Sequence, residues 1–171
     1  MAWDALPAAL PARMLDKDEL RALVDDVAAH PELWSDQLAF PPAGEPRYFA
    51  CLYRDEYVDV QLLCWSKGHD TGWHDHDVSA GAVHVVSGAV AEHNPRLSGD
   101  HMVTVMTEGR SFSFGAEHIH RLCGDRDISV TIHAYSPPVG RLGAYAFDAN
   151  DVMRRVAVSP AEPLRPLDPV A

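Results

Sequence analysis

Two histidines spaced two residues apart, His74 and His76, are the first residues whose types and spacing suggest chemistry. Side chains alternate between the two faces of a β-strand, so within a strand both imidazoles point to the same face. Two adjacent imidazoles can bind one metal ion together. Because His-x-His also occurs on ordinary exposed strands, this pair alone is weak evidence for a metal site.

The residues around the pair strengthen the metal hypothesis, because they resemble the first motif of the cupin superfamily. Gly68, His74, His76 and Gly88 keep the spacing of that motif. Gly81 stands where the motif has a glutamate.

A second stretch resembles the second cupin motif, with Gly109 and His120 at the expected spacing. The resemblance implies that His120 is the third metal ligand, beside the His-x-His pair. His118 precedes it by two residues and would share its strand face, so His118 is the alternative ligand. The resemblance also implies an all-β cupin barrel (a double-stranded β-helix or jelly roll) with N-terminal helices.

The glycine at position 81 has a chemical consequence. Common non-haem iron oxygenases bind their metal with two histidines and one carboxylate. Three neutral imidazoles instead leave the full dipositive charge of the metal ion, which suits a substrate that binds as an anion. A thiolate is such a ligand, since metal coordination removes the proton that a free thiol holds up to about pH 8.5.

Further segments resemble the cysteine dioxygenase family, especially its bacterial members. They are Leu63-Cys64-Trp65, His74-Asp75-His76 with Ser79, Ile119-His120-Arg121-Leu122, and the run from Thr131 to Pro138. The family has a Ser-x-His-x-Tyr triad, and Thr131, His133 and Tyr135 occupy its places. The resemblance therefore implies that these three are catalytic residues, with Tyr135 also reaching toward the substrate. Threonine keeps the hydroxyl that can fix the tautomer of the histidine.

Other implications of this resemblance concern single positions. Animal members cross-link the active-site tyrosine to a cysteine at the place of Gly81, so this chain is expected to lack that cross-link. The family also implies a cis bond between Ser136 and Pro137. Members that act on cysteine hold the substrate carboxylate with an early arginine, for which Arg54 is the first choice and Arg47 the alternative.

The implied function is that of an Fe(II)-dependent thiol dioxygenase, which oxidises L-cysteine with O2 to cysteine sulfinic acid. The alternatives are a dioxygenase of another small thiol acid such as 3-mercaptopropionate, a non-catalytic cupin that binds a ligand or a metal, and a zinc or nickel cupin with hydrolytic or isomerase chemistry. Thr131, His133 and Tyr135 favour catalysis over mere binding.

The elements that must position these residues follow from the patterns along the chain. Residues 1–40 are predicted to be helical, with an apolar face at three- and four-residue spacing between Leu15 and Trp34 and a capping box at Asp16 and Glu19. Residues 47–147 alternate short apolar runs with turn residues, which predicts the barrel core. Five of its strands are predicted, at 57–65, 82–86, 102–107, 111–114 and 128–135. We predict one domain at 1–158 and a Pro-rich tail at 159–171, draped on the surface or disordered.

Composition limits the partners. A formal charge of −11 argues against a nucleic-acid surface or an anionic membrane surface. Three cysteines without a CxxC pair cannot form a full disulfide framework, and residues 1–10 lack the pattern of a signal peptide. We therefore expect a cytoplasmic monomer whose partners are a small thiol and O2.

Overall fold

The computed structural model describes residue 6 and residues 9–97 and 100–169. One α-helix, α1 (Lys17–Ala28), and two short 3₁₀ helices, Pro31–Leu33 and Ser35–Gln37, precede the strands. The described residues contain eleven strands: β1 (Tyr48–Arg54), β2 (Asp59–Ser66), β3 (His74–Asp75), β4 (Ala80–Ser87), β5 (Ala89–Asn94), β6 (Met102–Thr107), β7 (Ser111–Phe114), β8 (Arg121–Gly124), β9 (Ile128–Ser136), β10 (Leu142–Phe147) and β11 (Met153–Val158).

Helix α1 begins at the predicted capping box. The Asp16 carboxylate accepts hydrogen bonds from the backbone N–H groups of Asp18 and Glu19, both at 2.9 Å, and the Glu19 carboxylate accepts from the Asp16 N–H at 2.9 Å. The apolar face of the helix buries its side chains against β4 and β9; they are Leu20, Leu23, Val24 and Val27. The helix therefore covers one outer face of the barrel.

The strands form three antiparallel sheets. The largest has the order β1-β2-β9-β4-β7, and two smaller sheets have the orders β11-β10-β3 and β6-β5-β8. Strand β9 lies at the centre of the large sheet, with β2 on one side and β4 on the other. Because side chains alternate along β9, one of its faces packs against the helix and the other faces the barrel interior. The all-β cupin prediction is thus confirmed.

The predicted elements differ from the structure at their boundaries. Residues 9–16 are not helical, so the α-helix occupies only part of the predicted range 1–40; residues 1–5 and 7–8 lie outside the described residues. Strand β11 pairs with β10 and extends the strands beyond residue 147. Residues 159–169 form no helix or strand but lie against the barrel, and residues 170–171 lie outside the described part. None of the described helices is long and apolar enough to cross a membrane.

Candidate metal centre

The three predicted metal ligands converge because two of them face each other across an antiparallel bridge. The His74 N–H donates to the His120 carbonyl at 2.9 Å, and the His120 N–H donates to the His74 carbonyl at 3.1 Å. His76 follows β3 directly. One ring nitrogen from each of the three histidines lies within 4.8 Å of the others, a spacing that could hold one metal ion.

Hydrogen bonds on the far side of two rings set their orientation. The Nδ1–H of His74 donates to the Gly72 carbonyl at 3.0 Å, and the Nδ1–H of His120 donates to Glu92 Oε1 at 2.9 Å. These bonds leave Nε2 of each ring available. His120 Nε2 and both ring nitrogens of His76 are buried and have no hydrogen-bond partner among the described residues. Buried polar atoms rarely lack partners, so these free nitrogens fit a bound metal ion.

Burial keeps the three imidazoles neutral. It lowers the pKa of His74 and His76 well below the usual value, and neighbouring imidazoles lower it further. The pKa of His120 is also lowered by burial, although its contact with Glu92 acts in the opposite direction. Neutral imidazole is the form that binds metals, so these three histidines can bind a cation without first losing a proton.

Glu92, on β5, is a site residue that the sequence reasoning missed. Its Oε1 accepts from His120 Nδ1 and also from His118 Nε2, the latter at 3.1 Å. Burial raises the pKa of this carboxyl, but the two histidine contacts outweigh burial and lower it to about 2. His118 therefore shares the Glu92 carboxylate with His120 through hydrogen bonds. The sequence signal was an acidic residue directly after the apolar run 89–91.

Polar side chains of β10 and β11 hold Asp75, the residue between the two ligands His74 and His76. The Asp75 carboxylate accepts from Arg155 Nε at 2.7 Å and Nη2 at 2.9 Å, and from the Tyr145 hydroxyl at 2.6 Å. Burial would raise the pKa of Asp75, but these donors lower it. The two-residue strand β3 is thereby anchored to β10 and β11, which fixes the backbone on which both histidines depend.

Thr131, His133 and Tyr135 form a continuous hydrogen-bonded row on the inner face of β9. Thr131 Oγ1 lies 2.8 Å from His133 Nε2, and His133 Nδ1 lies 3.0 Å from the Tyr135 hydroxyl. Trp65 Nε1–H donates to Thr131 Oγ1 at 2.9 Å. Burial lowers the pKa of His133 well below its usual value and raises that of Tyr135, so the row is neutral.

Gly81 lies opposite Tyr135 across the pairing of β4 with β9. A Cβ atom at position 81 would lie 2.5 Å from two ring atoms of Phe114 and 3.0 Å from Tyr135 Cδ1. A side chain at this position would have to displace an aromatic ring. The absence of a carboxylate ligand or a thiol here is therefore matched by the packing.

Arg54 does not lie with the histidines. Its Nη1 contacts Asp59 Oδ2 at 3.2 Å, its Nη2 donates to the Val139 carbonyl at 3.3 Å, and 48% of its side chain is exposed. It is not among the residues that line the cavity beside His74 and His76.

Arg47, the alternative arginine, does line that cavity. Its guanidinium carbon lies 4.3 Å from the centre of the Trp65 ring, and its buried Nε and Nη1 have no hydrogen-bond partner within the part of the chain that the structure describes. Burial lowers the pKa of Arg47 to about 10, which leaves it charged at neutral pH. The signal in the sequence was alternation, since Arg47 and Phe49 are two residues apart and both line the cavity.

The cavity measures about 50 Å³ and is lined both by the candidate metal ligands His74 and His76 and by His133 and Tyr135 of the row on β9. Its lining residues are Arg47, Phe49, Gln61, Leu63, Thr71, His74, His76, Leu122, His133, Tyr135, Val139, Leu142, Pro160, Glu162, Pro163 and Leu164. Thus imidazoles, a tyrosine hydroxyl and a buried guanidinium line one small cavity. The Ser136–Pro137 peptide bond nearby is cis, as expected.

The barrel and its three histidines define a cupin with a candidate metal centre, and solved structures agree on the fold. The protein TT1209 from Thermus thermophilus is 13% identical, with a TM-score of 0.52, over 60% of this chain and 92% of that one. A protein with a double-stranded β-helix domain from Klebsiella pneumoniae is 13% identical, with a TM-score of 0.50, over 68% and 90%. An RmlC-like cupin from Desulfovibrio desulfuricans is 14% identical, with a TM-score of 0.52, over 61% and 92%.

The sequence itself gives the family. Residues 9–148 match the family model described as cysteine dioxygenase type I. The chain therefore belongs to the cysteine dioxygenase type I family, and it is a thiol dioxygenase by class. No curated protein shows significant sequence similarity to it.

Proposed function

We propose that the protein is an Fe(II)-dependent dioxygenase of a small thiol that carries a carboxylate, with L-cysteine as the first candidate. One observation carries the proposal: a buried guanidinium, two of whose nitrogens have no hydrogen-bond partner among the described residues, lines the same small cavity as His74 and His76, two of the three candidate metal ligands. A thiolate and a carboxylate a few bonds apart would satisfy the two sites together.

His74, His76 and His120 would hold the iron, since their free nitrogens fit a metal ion. When bound, Fe(II) would supply the redox chemistry by which a thiolate and O2 become a sulfinate, with both oxygen atoms on sulfur. Zinc would fit the same nitrogens, but it is redox-inactive and cannot supply this chemistry. The monomeric state and the cytoplasmic location remain predictions.

Arg47 would bind the substrate carboxylate. Its planar guanidinium can form two parallel hydrogen bonds with a carboxylate, and it is already desolvated and held over the Trp65 ring. This arrangement favours a substrate of fixed length between the thiol and the carboxylate, as in cysteine and 3-mercaptopropionate.

Tyr135 would donate a hydrogen bond to the reacting end of the substrate. Its raised pKa keeps the hydroxyl protonated, and the neutral imidazole of His133 can hold the proton on Nδ1. In that tautomer, Thr131 donates to Nε2, and Nδ1–H donates to the tyrosine oxygen. The hydroxyl proton of Tyr135 is then free to point into the cavity, which supports a catalytic role over mere ligand binding.

Oxygen uptake by the iron-loaded protein tests the proposal. The panel contains cysteine, 3-mercaptopropionate and cysteamine, and mass spectrometry of the products measures the sulfinate formed per O2 consumed. We expect equal amounts of O2 consumed and sulfinate formed for at least one thiol acid. Disulfide or peroxide as the main product, or turnover of cysteamine alone, would contradict it. The variant His120→Ala, treated with iron in the same way, is the control for iron-independent oxidation.

A further inference from the structure

The C-terminal tail, defined here as residues 159–169, contributes one wall of the cavity, although it lies outside the residues that match the family. Pro160, Glu162, Pro163 and Leu164 line the same space as His74. A prediction from composition alone left the tail without a role. Its contacts instead place it at the substrate site.

The tail packs closely against the core of the site. Leu164 packs against the buried cluster that contains Phe114 and Tyr135. Further along, a Cβ at Gly72 would lie 2.8 Å from the Pro166 Cα, and Gly72 has a φ of +66°. The carbonyl of the same glycine orients His74. Only a glycine at position 72 thus permits this close approach of Pro166. The tail therefore contacts both the cluster that contains Tyr135 and the glycine that orients His74.

Residues of the tail line two spaces of different size, called here the inner cavity and the outer pocket. The inner cavity measures about 50 Å³, whereas an outer pocket built from residues 43–47, 68–70 and 162–166 measures about 690 Å³. Arg47, Glu162, Pro163 and Leu164 line both, so they form the partition. On this measure one water molecule needs about 10–15 Å³, so the inner cavity holds only a few small groups.

We propose that the tail is the size filter of the site, with Pro163 and Leu164 as specificity-determining residues that restrict it to small thiol acids. The inference rests on the proposed function for the identity of the ligand. The apolar side chains of Pro163 and Leu164 leave room for a short thiol acid between the metal ligands and Arg47. A bulky group on the same thiol acid would have to displace Leu164 from its cluster.

The test compares two ligands that differ only in bulk, 3-mercaptopropionate and its 2-benzyl derivative. The full-length variants are Leu164→Ala and Pro163→Ala, and the matched control is Leu167→Ala, in the same tail but lining neither space. Binding is read from the visible absorption of the cobalt-loaded protein when a thiolate binds. Turnover is read from oxygen uptake by the iron-loaded protein, and metal content and thermal melting are measured for every variant.

We expect the wild-type protein to bind the small ligand at least about a hundredfold more tightly. We expect Leu164→Ala, and Pro163→Ala more weakly, to reduce that ratio about tenfold or more by improving binding of the benzyl compound. Leu167→Ala should leave the ratio unchanged. Equal binding of both ligands to the wild type, or an unchanged ratio in both partition variants, overturns the size filter. Discrimination in binding without turnover of any thiol would keep the filter and remove the dioxygenase proposal.

Discussion

Replacing Arg47 by methionine should separate its role in binding from its role in stability. The side chain is 6% exposed, and two of its guanidinium nitrogens have no partner. Each unsatisfied buried donor costs about 1–3 kcal/mol. The cation–π contact of the desolvated guanidinium with Trp65 stabilises the folded protein by about 2 kcal/mol. The balance favours methionine by about 0–4 kcal/mol, so Arg47→Met should melt at the wild-type temperature or several degrees above it.

The same substitution should reduce activity on thiol acids. A charge-assisted contact between a guanidinium and a carboxylate contributes about 1.5–3 kcal/mol, which corresponds to a loss in kcat/KM of roughly 10- to 150-fold. Cysteamine has no carboxylate, so its kcat/KM should change much less. If Arg47 stabilises the substrate complex but destabilises the free protein, Arg47→Met should lower kcat/KM on thiol acids without lowering the melting temperature.

Arg54→Met is the matched control, because it removes the arginine at the end of β1, whereas Arg47 directly precedes that strand. Arg54 is half exposed and pairs with Asp59, whose burial raises the pKa of its carboxyl. Its loss should lower stability by up to about 1 kcal/mol and leave kcat/KM on thiol acids nearly unchanged. Calorimetry and oxygen uptake on cysteine, 3-mercaptopropionate and cysteamine supply the data. Equal losses on all three thiols, together with a lower melting temperature for Arg47→Met, would refute the reasoning and make Arg47 structural.

Three further outcomes are expected. His120→Ala should lose nearly all bound metal by elemental analysis, whereas His118→Ala should retain it; full metal in His120→Ala would transfer the ligand role to His118. The intact mass should equal the sequence mass, because Gly81 offers Tyr135 no sulfur; a deficit of a pair of hydrogens traced to Tyr135 would contradict this. The metal-free protein should lose stability as the pH falls below about 6.5, because burial lowers the pKa of the site imidazoles and the unfolded chain binds more protons. Chemical denaturation should show up to about 1.4 kcal/mol per pH unit for each imidazole, and equal stability at pH 8 and pH 5 would exclude it.

Local patterns predicted much of the scaffold. The capping box at Asp16 and the shared strand face of Thr131, His133 and Tyr135 depend on residues close together in the sequence, and both appear in the structure. Six of the described strands lie outside the five predicted ranges: β1, β3, β5, β8, β10 and β11. Several of them, such as β8 (Arg121–Gly124), are only four to seven residues long, and their patterns are interrupted by polar side chains. Pairing with a neighbour, which depends on the fold, determines these strands.

The sequence alone did not decide whether Arg47 or Arg54 lies at the site. Which of Arg47 and Arg54 has a free guanidinium depends on cross-strand register, since β1 places Arg54 directly opposite Asp59. A register shift between Cys51 and Tyr53 further changes which side chains share a face. Glu92 was missed for the same reason, because the pairing of β5 with β8 brings it to His120. Tertiary pairing decides such contacts.

The charge balance of the site limits the ligand on the proposed function. A divalent ion on three neutral imidazoles keeps two positive charges, and Arg47 adds another. Glu92, ionised because its pKa is about 2, returns one negative charge behind His120. The thiolate and carboxylate of 3-mercaptopropionate would neutralise the remaining two positive charges, and L-cysteine, which also carries an ammonium, would neutralise one of them. Cysteamine brings an ammonium and no carboxylate, so it would leave the excess uncompensated. Electrostatics therefore rank thiol acids above simple amino thiols, independently of the contact geometry at Arg47.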